Sequence, residues 1–231
     1  MMNKNLTGFL LAALLVSAPV AMMAGDSAST PSTGAAAEIQ EAEYTKKLDA
    51  RVAPIVASLG VDHDKAAHLH SLIVAQYRAV NAWHAEHDIR LKELAVVSGG
   101  DAEKLAAAKR EIGELKASLK SLHRRFVASL GADLGPEQIE RVKDGMTVGK
   151  VQFTYGGYLQ QNPDLTDQQK AKILTLLKDA REEAMDAGSM DEKSAIFNQY
   201  KGKINNYLAS QGVGHGKSKT GKSGETDTSS K

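Results

Sequence analysis

The sequence predicts an all-α protein: a helical bundle with a long antiparallel helical hairpin, an ordered irregular loop and two C-terminal helices. Three observations carry this expectation. Apolar residues recur at three- and four-residue spacings from Leu69 to Phe126, the period of one helix face. Helix-start signals stand at Asp62, Asp101, Gly135-Pro136, Thr166 with Gln169, and Ser189 with Glu192. A β-prone run, Val148, Val151, Phe153 and Tyr155, is short and alone, and one such run cannot make a sheet.

Residues 1–24 read as an export signal. Lys4 is the only charge before Asp26, Leu6 to Ala24 is almost wholly apolar, and the small residue Ala24 precedes Gly25. The alternative is an uncleaved anchor, since Asn5 to Gly25 are 21 uncharged residues. Pro19 and the small residues favour cleavage, after which no stable membrane insertion is expected. The mature chain is then periplasmic or extracellular. Without Cys there is no acceptor for a lipoprotein anchor. Residues 25–37 read as a disordered linker, 38–211 as a single helical domain and 212–231 as a disordered Gly, Ser, Thr and Lys tail.

Within the domain, 38–58 reads as a first helix that Pro54 kinks or interrupts and Gly60 ends. Asp62 caps a second helix over 62–97, with the stripe Leu69, Ile73, Tyr77, Val80, Leu91 and Leu94. Ser98-Gly99-Gly100 is a turn. A third helix runs from Asp101 to about Leu130. Its residues Leu105, Ala108, Ile112, Leu115, Leu119, Leu122 and Phe126 alternate by threes and fours, as in a coiled coil. The two form a hairpin of about 50 Å at 1.5 Å per residue. Pro136 opens a short fourth helix that ends near Gly145. Residues 146–164 break the helical pattern and are expected to form a packed loop with one helical turn near Tyr158-Leu159. A fifth helix spans 167–187. A sixth spans 190–210 and buries Ile196, Tyr200, Ile204, Tyr207 and Leu208.

Composition narrows the function. Lys and Arg total 29 against 28 Asp and Glu, a net charge of +1, which gives no case for nucleic-acid binding. The absence of Cys removes disulfides, thiolate metal sites and cysteine nucleophiles. Aromatics at 5% argue against a broad stacking platform. No carboxylate pair is marked by an apolar setting that raises one pKa. No serine sits in a nucleophile elbow, and no glycine loop suits phosphate. No catalytic residues and no cofactor are therefore assigned.

Two constellations stand out. His84 and His87 lie one helical turn apart, and two imidazoles so placed can share a metal. A hairpin pairing about residues 99–100 would bring Glu111 across from His87. The plainer alternative is histidines hydrogen-bonded to Asp88, Glu111 or backbone. His63, His68 and His70 point different ways and read as solvated. Lys109-Arg110 and His123-Arg124-Arg125, balanced by Glu103, Glu111 and Glu114, read as a solvated face. The second constellation is the segment 144–158 against the last helix. Asp144, Thr147, Lys150, Tyr155 and Tyr158 would face Lys201, Lys203, Asn205 and Asn206. Asn amides and Tyr rings are the usual means of gripping a sugar. They also satisfy the backbone of a buried irregular segment, and both readings stay open.

Leu165-Thr166-Asp167-Gln168-Gln169 resembles the LTxxQ pattern of periplasmic helical proteins of the Spy and CpxP type. Leu134-Gly135-Pro136-Glu137-Gln138 is a degraded copy 31 residues earlier. A longer similarity runs from about Tyr44 to Gln211. It is carried by Val142 to Thr147, Thr154-Tyr155-Gly156-Gly157-Tyr158-Leu159, Leu165-Thr166, Gln169-Lys170, Ala180-Arg181-Glu182, Ala184 to Ser189 and Tyr200 to Leu208. These residues resemble the bacterial secreted family catalogued as domain of unknown function 3826. The chain departs from that pattern at Val148, where the family has an aromatic, near Ile196, where it has Trp, and at Val213-Gly214, where it has Tyr-Asp. The first resemblance implies a non-enzymatic envelope protein that binds a partner or client. The second implies a role near carbohydrate use; the Gly, Tyr and Asn clustering would then place a polysaccharide-derived ligand at 144–158 against the last helix. Oligomerisation stays open.

Overall fold

The computed structural model describes residues 33–97 and 101–213. The expected export signal, most of the linker, the turn at 98–100 and the tail from 214 lie outside the described residues. Among those described there are seven helices and no strand: α1 (Thr33–Ala57), α2 (His63–Ala95), α3 (Ala102–Asp133), α4 (Pro136–Met146), α5 (Lys150–Gln161), α6 (Asp167–Met185) and α7 (Met190–Ser210). The protein is all-α, as its sequence predicts.

The caps form where the sequence places them. Asp62 accepts from the Lys65 N–H, and Asp101 from the N–H groups of Glu103 and Lys104. Thr166 and Gln169 cap each other's backbone N–H, and Ser189 accepts from the Glu192 N–H. Each satisfies donors that the first helical turn leaves open, worth about 1 kcal/mol. Two expectations for α1 need correction. It starts at Thr33, inside the stretch read as linker, because Ala35 to Ala37 are strong helix formers. Pro54 also does not interrupt it, and the helix runs on to Ala57, since the proline takes a single N–H out of the ladder.

The apolar residues collect into two cores. One joins α1, α2, the end of α3 and α4 through Val52, Leu69, Ile73, Leu130, Val142 and Met146. The other joins α5, α6 and α7 through Val151, Ile173, Leu177, Ala184, Phe197 and Ile204. Met185, at the end of α6, belongs to the first core.

The hairpin is present, with a register set by side chains. The Trp83 indole N–H donates to the Ser118 hydroxyl at 2.8 Å. Arg90 grips both oxygens of Glu111 at 2.6 and 2.8 Å. Glu111 therefore faces Arg90, three residues along α2 from His87. On α3 only Ala108, Phe126 and Leu130 are buried. Leu105 is 37% exposed, and Ile112, Leu115, Leu119 and Leu122 are half-buried.

The largest departure lies at 146–164. The expected irregular loop is a three-residue turn followed by a helix. Val148 and Gly149 both adopt left-handed conformations, φ 55° and 62°, and redirect the chain out of α4. From Lys150 the backbone is helical despite Gly156 and Gly157. Val151 is buried in the second core, and Tyr155, Tyr158 and Leu159 pack against it. Tertiary burial of that stripe outweighs the weak helix propensity of its residues.

Candidate functional site

Between the two cores lies a seam of paired charges. It follows from one residue on the buried face of α6. Arg181 stands four residues after Leu177, in register with the apolar stripe, and is 1% exposed. A buried guanidinium needs carboxylates. Asp144 and Glu140 of α4 supply them at 2.7 and 2.8 Å, with Glu182 at 3.1 Å. Lys178 pairs with Glu140 at 2.8 Å and Lys143 with Glu182 at 2.7 Å. From α3, His123 reaches Asp186 at 3.0 Å and Glu182 at 3.2 Å. Four cations thus meet four carboxylates across α3, α4 and α6.

The electrostatics favour the charged forms of Glu182, His123 and Glu140. Burial alone would raise the Glu182 carboxyl, but hydrogen bonds from His123, Lys143 and Arg181 hold it down to about 2. Hydrogen bonds to Asp186 and Glu182 push the His123 imidazole up to about 9, against burial. Burial would likewise raise Glu140, and Lys178 and Arg181 outweigh it. Acid–base catalysis at neutral pH needs a carboxyl raised toward 7. These shifts run the other way.

A second histidine fastens α2 to the same end of α6. His84 meets the Asp88 carboxylate through Nδ1 and the Asp186 carbonyl through Nε2, both at 2.8 Å. Burial alone would lower its pKa, but these contacts raise it, because both partners are acceptors and favour the doubly protonated ring. The approach requires glycine at 188, since a Cβ there would sit 2.6 Å from the His84 ring.

Above the seam a cleft of about 850 Å³ opens between α3, α6 and α7. Lys116, Leu119, Lys120, His123 and Arg124 of α3 form one wall. Asp179, Glu182, Glu183 and Asp186 of α6 form the other. Ala187, Ala195, Ile196 and Tyr200 make a largely apolar floor, with Glu192 and Gln199 beside it.

The model of one protein family, described as a protein of unknown function and numbered DUF3826, matches residues 45–221. The chain belongs to the DUF3826 family. The match takes in most of α1 and all of α2 to α7, so the seam and the cleft both lie inside the family region. No curated protein matches the chain. Among the described residues no helix is long and apolar enough to cross a membrane.

The structure places the residues singled out in the sequence as follows. His84, His87 and Glu111 are not brought together. Both nitrogens of His84 are engaged, Glu111 belongs to Arg90, and His87 lies edge-on to Trp83 at 4.9 Å. Among the described residues no group of three His, Asp or Glu is placed to hold a metal ion. Of the second set, Tyr158 donates to Asn205 at 2.8 Å and lies 3.3 Å from the Lys201 carbonyl. Lys150 donates to Ser194 at 2.8 Å. Asp144 turns to Arg181, and the Thr147 hydroxyl donates to the Lys143 carbonyl. Tyr155 packs on the second core. Lys203 lies over the Tyr200 ring at 3.6 Å, and Asn206 is exposed. These groups mostly tie α5 to α7 and α4 to α6. His123, read as part of a solvated face, is instead a clamp, while its neighbours Arg124 and Arg125 are exposed. Arg181 was visible as a charge in the stripe Ile173, Leu177, Ala180, Ala184. Its partners on α4 left no signal in sequence.

Proposed function

We propose that this protein is an exported, non-enzymatic binding protein that holds a protein partner or client in the cleft between α3, α6 and α7. One observation carries the reading: the cleft has an apolar floor, while the ionisable groups beneath it are engaged with one another. Such a site offers apolar surface and charge complementarity. The LTxxQ-like helix starts at Leu134 and Leu165 support a chaperone-like version. The test is suppression of aggregation of a chemically unfolded client. The protein at a few-fold molar excess should keep the client soluble, and Leu119→Asp, on the half-buried cleft wall, should abolish this without loss of helicity. No suppression at large excess contradicts the client-binding version.

Carbohydrate binding is the second reading. Most of its proposed polar groups are engaged within the fold, which leaves Lys203 and Asn206 as its main support. Calorimetry against plant and algal oligosaccharides, with Asn206→Ala as control, tests it. Absence of heat with every glycan removes it.

A further inference from the structure

One face each of α3, α6 and α7 lines the cleft. On α3 the lining residues run from Lys116 to Arg124 at three- and four-residue spacings, and on α6 from Asp179 to Asp186 likewise. Each helix therefore turns one face to the same space. The lining stretch of α3 spans about 12 Å, the length of two turns of helix.

Its charges are sorted by wall. Lys116, Lys120 and Arg124 stand on α3, and Asp179, Glu183 and Glu192 stand on α6 and α7. Among the described residues none of these six takes part in an ion pair within 4.0 Å. Beneath them His123 and Lys143 neutralise Glu182 and Asp186. A uniformly acidic ligand is drawn to α3 and repelled by α6, and a uniformly basic one meets the reverse. A sugar can pair its hydroxyls with these exposed groups, but it carries no charge for the sorted walls to select. A helix with an apolar stripe, acidic on one flank and basic on the other, satisfies floor and both walls.

We infer that the cleft takes an amphipathic helix of mixed charge from a partner protein, its acidic flank on α3 and its basic flank on α6 and α7. This rests on the binding reading above. The experiment uses the full mature chain and three labelled helical peptides that share one apolar stripe. Their flanks are Glu/Lys, Glu/Glu and Lys/Lys, and binding is read by fluorescence anisotropy. The Glu/Lys peptide should bind at least about tenfold more tightly than the others. In Lys120→Glu/Arg124→Glu protein both walls are acidic, and the Lys/Lys peptide should become the tightest. Both substitutions are at exposed positions, and circular dichroism checks that the variant folds. Equal affinities, or an unchanged order in the reversed protein, overturn the inference. Tightest binding to a single-charge peptide or an oligosaccharide, lost in Leu119→Asp, overturns it while leaving the cleft a binding site. No binding that depends on Leu119 overturns both.

Discussion

Arg181→Met is the sharpest perturbation of the seam. The guanidinium is 1% exposed and holds Asp144, Glu140 and Glu182 at 2.7, 2.8 and 3.1 Å. Removing one partner of a buried ion pair costs about 3–5 kcal/mol, because the other charge is stranded. Two features lower that figure here. Glu140 keeps Lys178, and Glu182 keeps Lys143 and His123. Asp144 loses its cation, but its side chain is 26% exposed and can rehydrate in part. The Arg181 Nε makes no hydrogen bond, so its loss strands nothing further. Methionine fills similar length, which keeps the cavity contribution small. The expected loss is about 2–3 kcal/mol, a fall in Tm of roughly 5–10 °C for a domain of this size. Equilibrium urea unfolding followed by circular dichroism measures it, with the slope unchanged. Arg181→Met/Asp144→Leu should recover most of the loss, since replacing both members of such a pair by apolar groups is often neutral. A single variant within about 0.5 kcal/mol of the parent refutes the reasoning. So does a double variant that is worse than the single.

Three more outcomes follow from the same geometry. His123 is held up to about 9, whereas an unfolded imidazole titrates near 6.5. Its stabilisation is complete below that lower value and lost as pH rises through the upper one. From pH 6.5 to 8 the Tm of the parent should fall relative to His123→Gln, and parallel curves contradict the clamp. Above about 8, Lys193, lowered to that value by burial, acts in the opposite sense in both proteins. Gly188→Ala brings a Cβ to 2.6 Å from the His84 ring and should cost about 1–3 kcal/mol by urea unfolding; no change means that α2 does not dock there as described. Val148 is a β-branched residue at φ 55°. Val148→Gly relieves that strain and should raise Tm, by up to about 1 kcal/mol in stability, and a lower Tm contradicts this.

Much of the fold was legible because it is written in local patterns. Asp62, Asp101, Thr166 and Ser189 announce their helices by chemistry that acts within three residues, and the alternation from Leu105 to Phe126 announces the hairpin. The helix α5 was hidden by composition. Its residues Val151, Tyr155, Tyr158 and Leu159 keep a helical spacing, but valine, threonine and paired glycines obscure it, and only burial against the second core decides the matter. The hairpin register is fixed by the long-range pairs Trp83–Ser118 and Arg90–Glu111, which place Glu111 against Arg90, one helical turn beyond His87. That placement removed Glu111 from His87 and with it the imagined metal set. The seam was invisible for a different reason. Arg181 meets Asp144 and Glu140 across 37 and 41 residues of sequence, a distance that no local pattern encodes. The DUF3826 family, by contrast, was legible from residues such as Tyr155 to Leu159 and Ala184 to Ser189, and its model covers 45–221.

The direct test of the cleft as the binding surface is methyl-detected NMR of the mature protein titrated with an unfolded client. The Leu119, Ala187, Ala195 and Ile196 methyls, which line the cleft, should shift progressively and saturate together. The Val148 methyls, exposed on the turn before α5, should stay in place. Perturbation confined to the α5 side, with the four cleft methyls unmoved, contradicts the account.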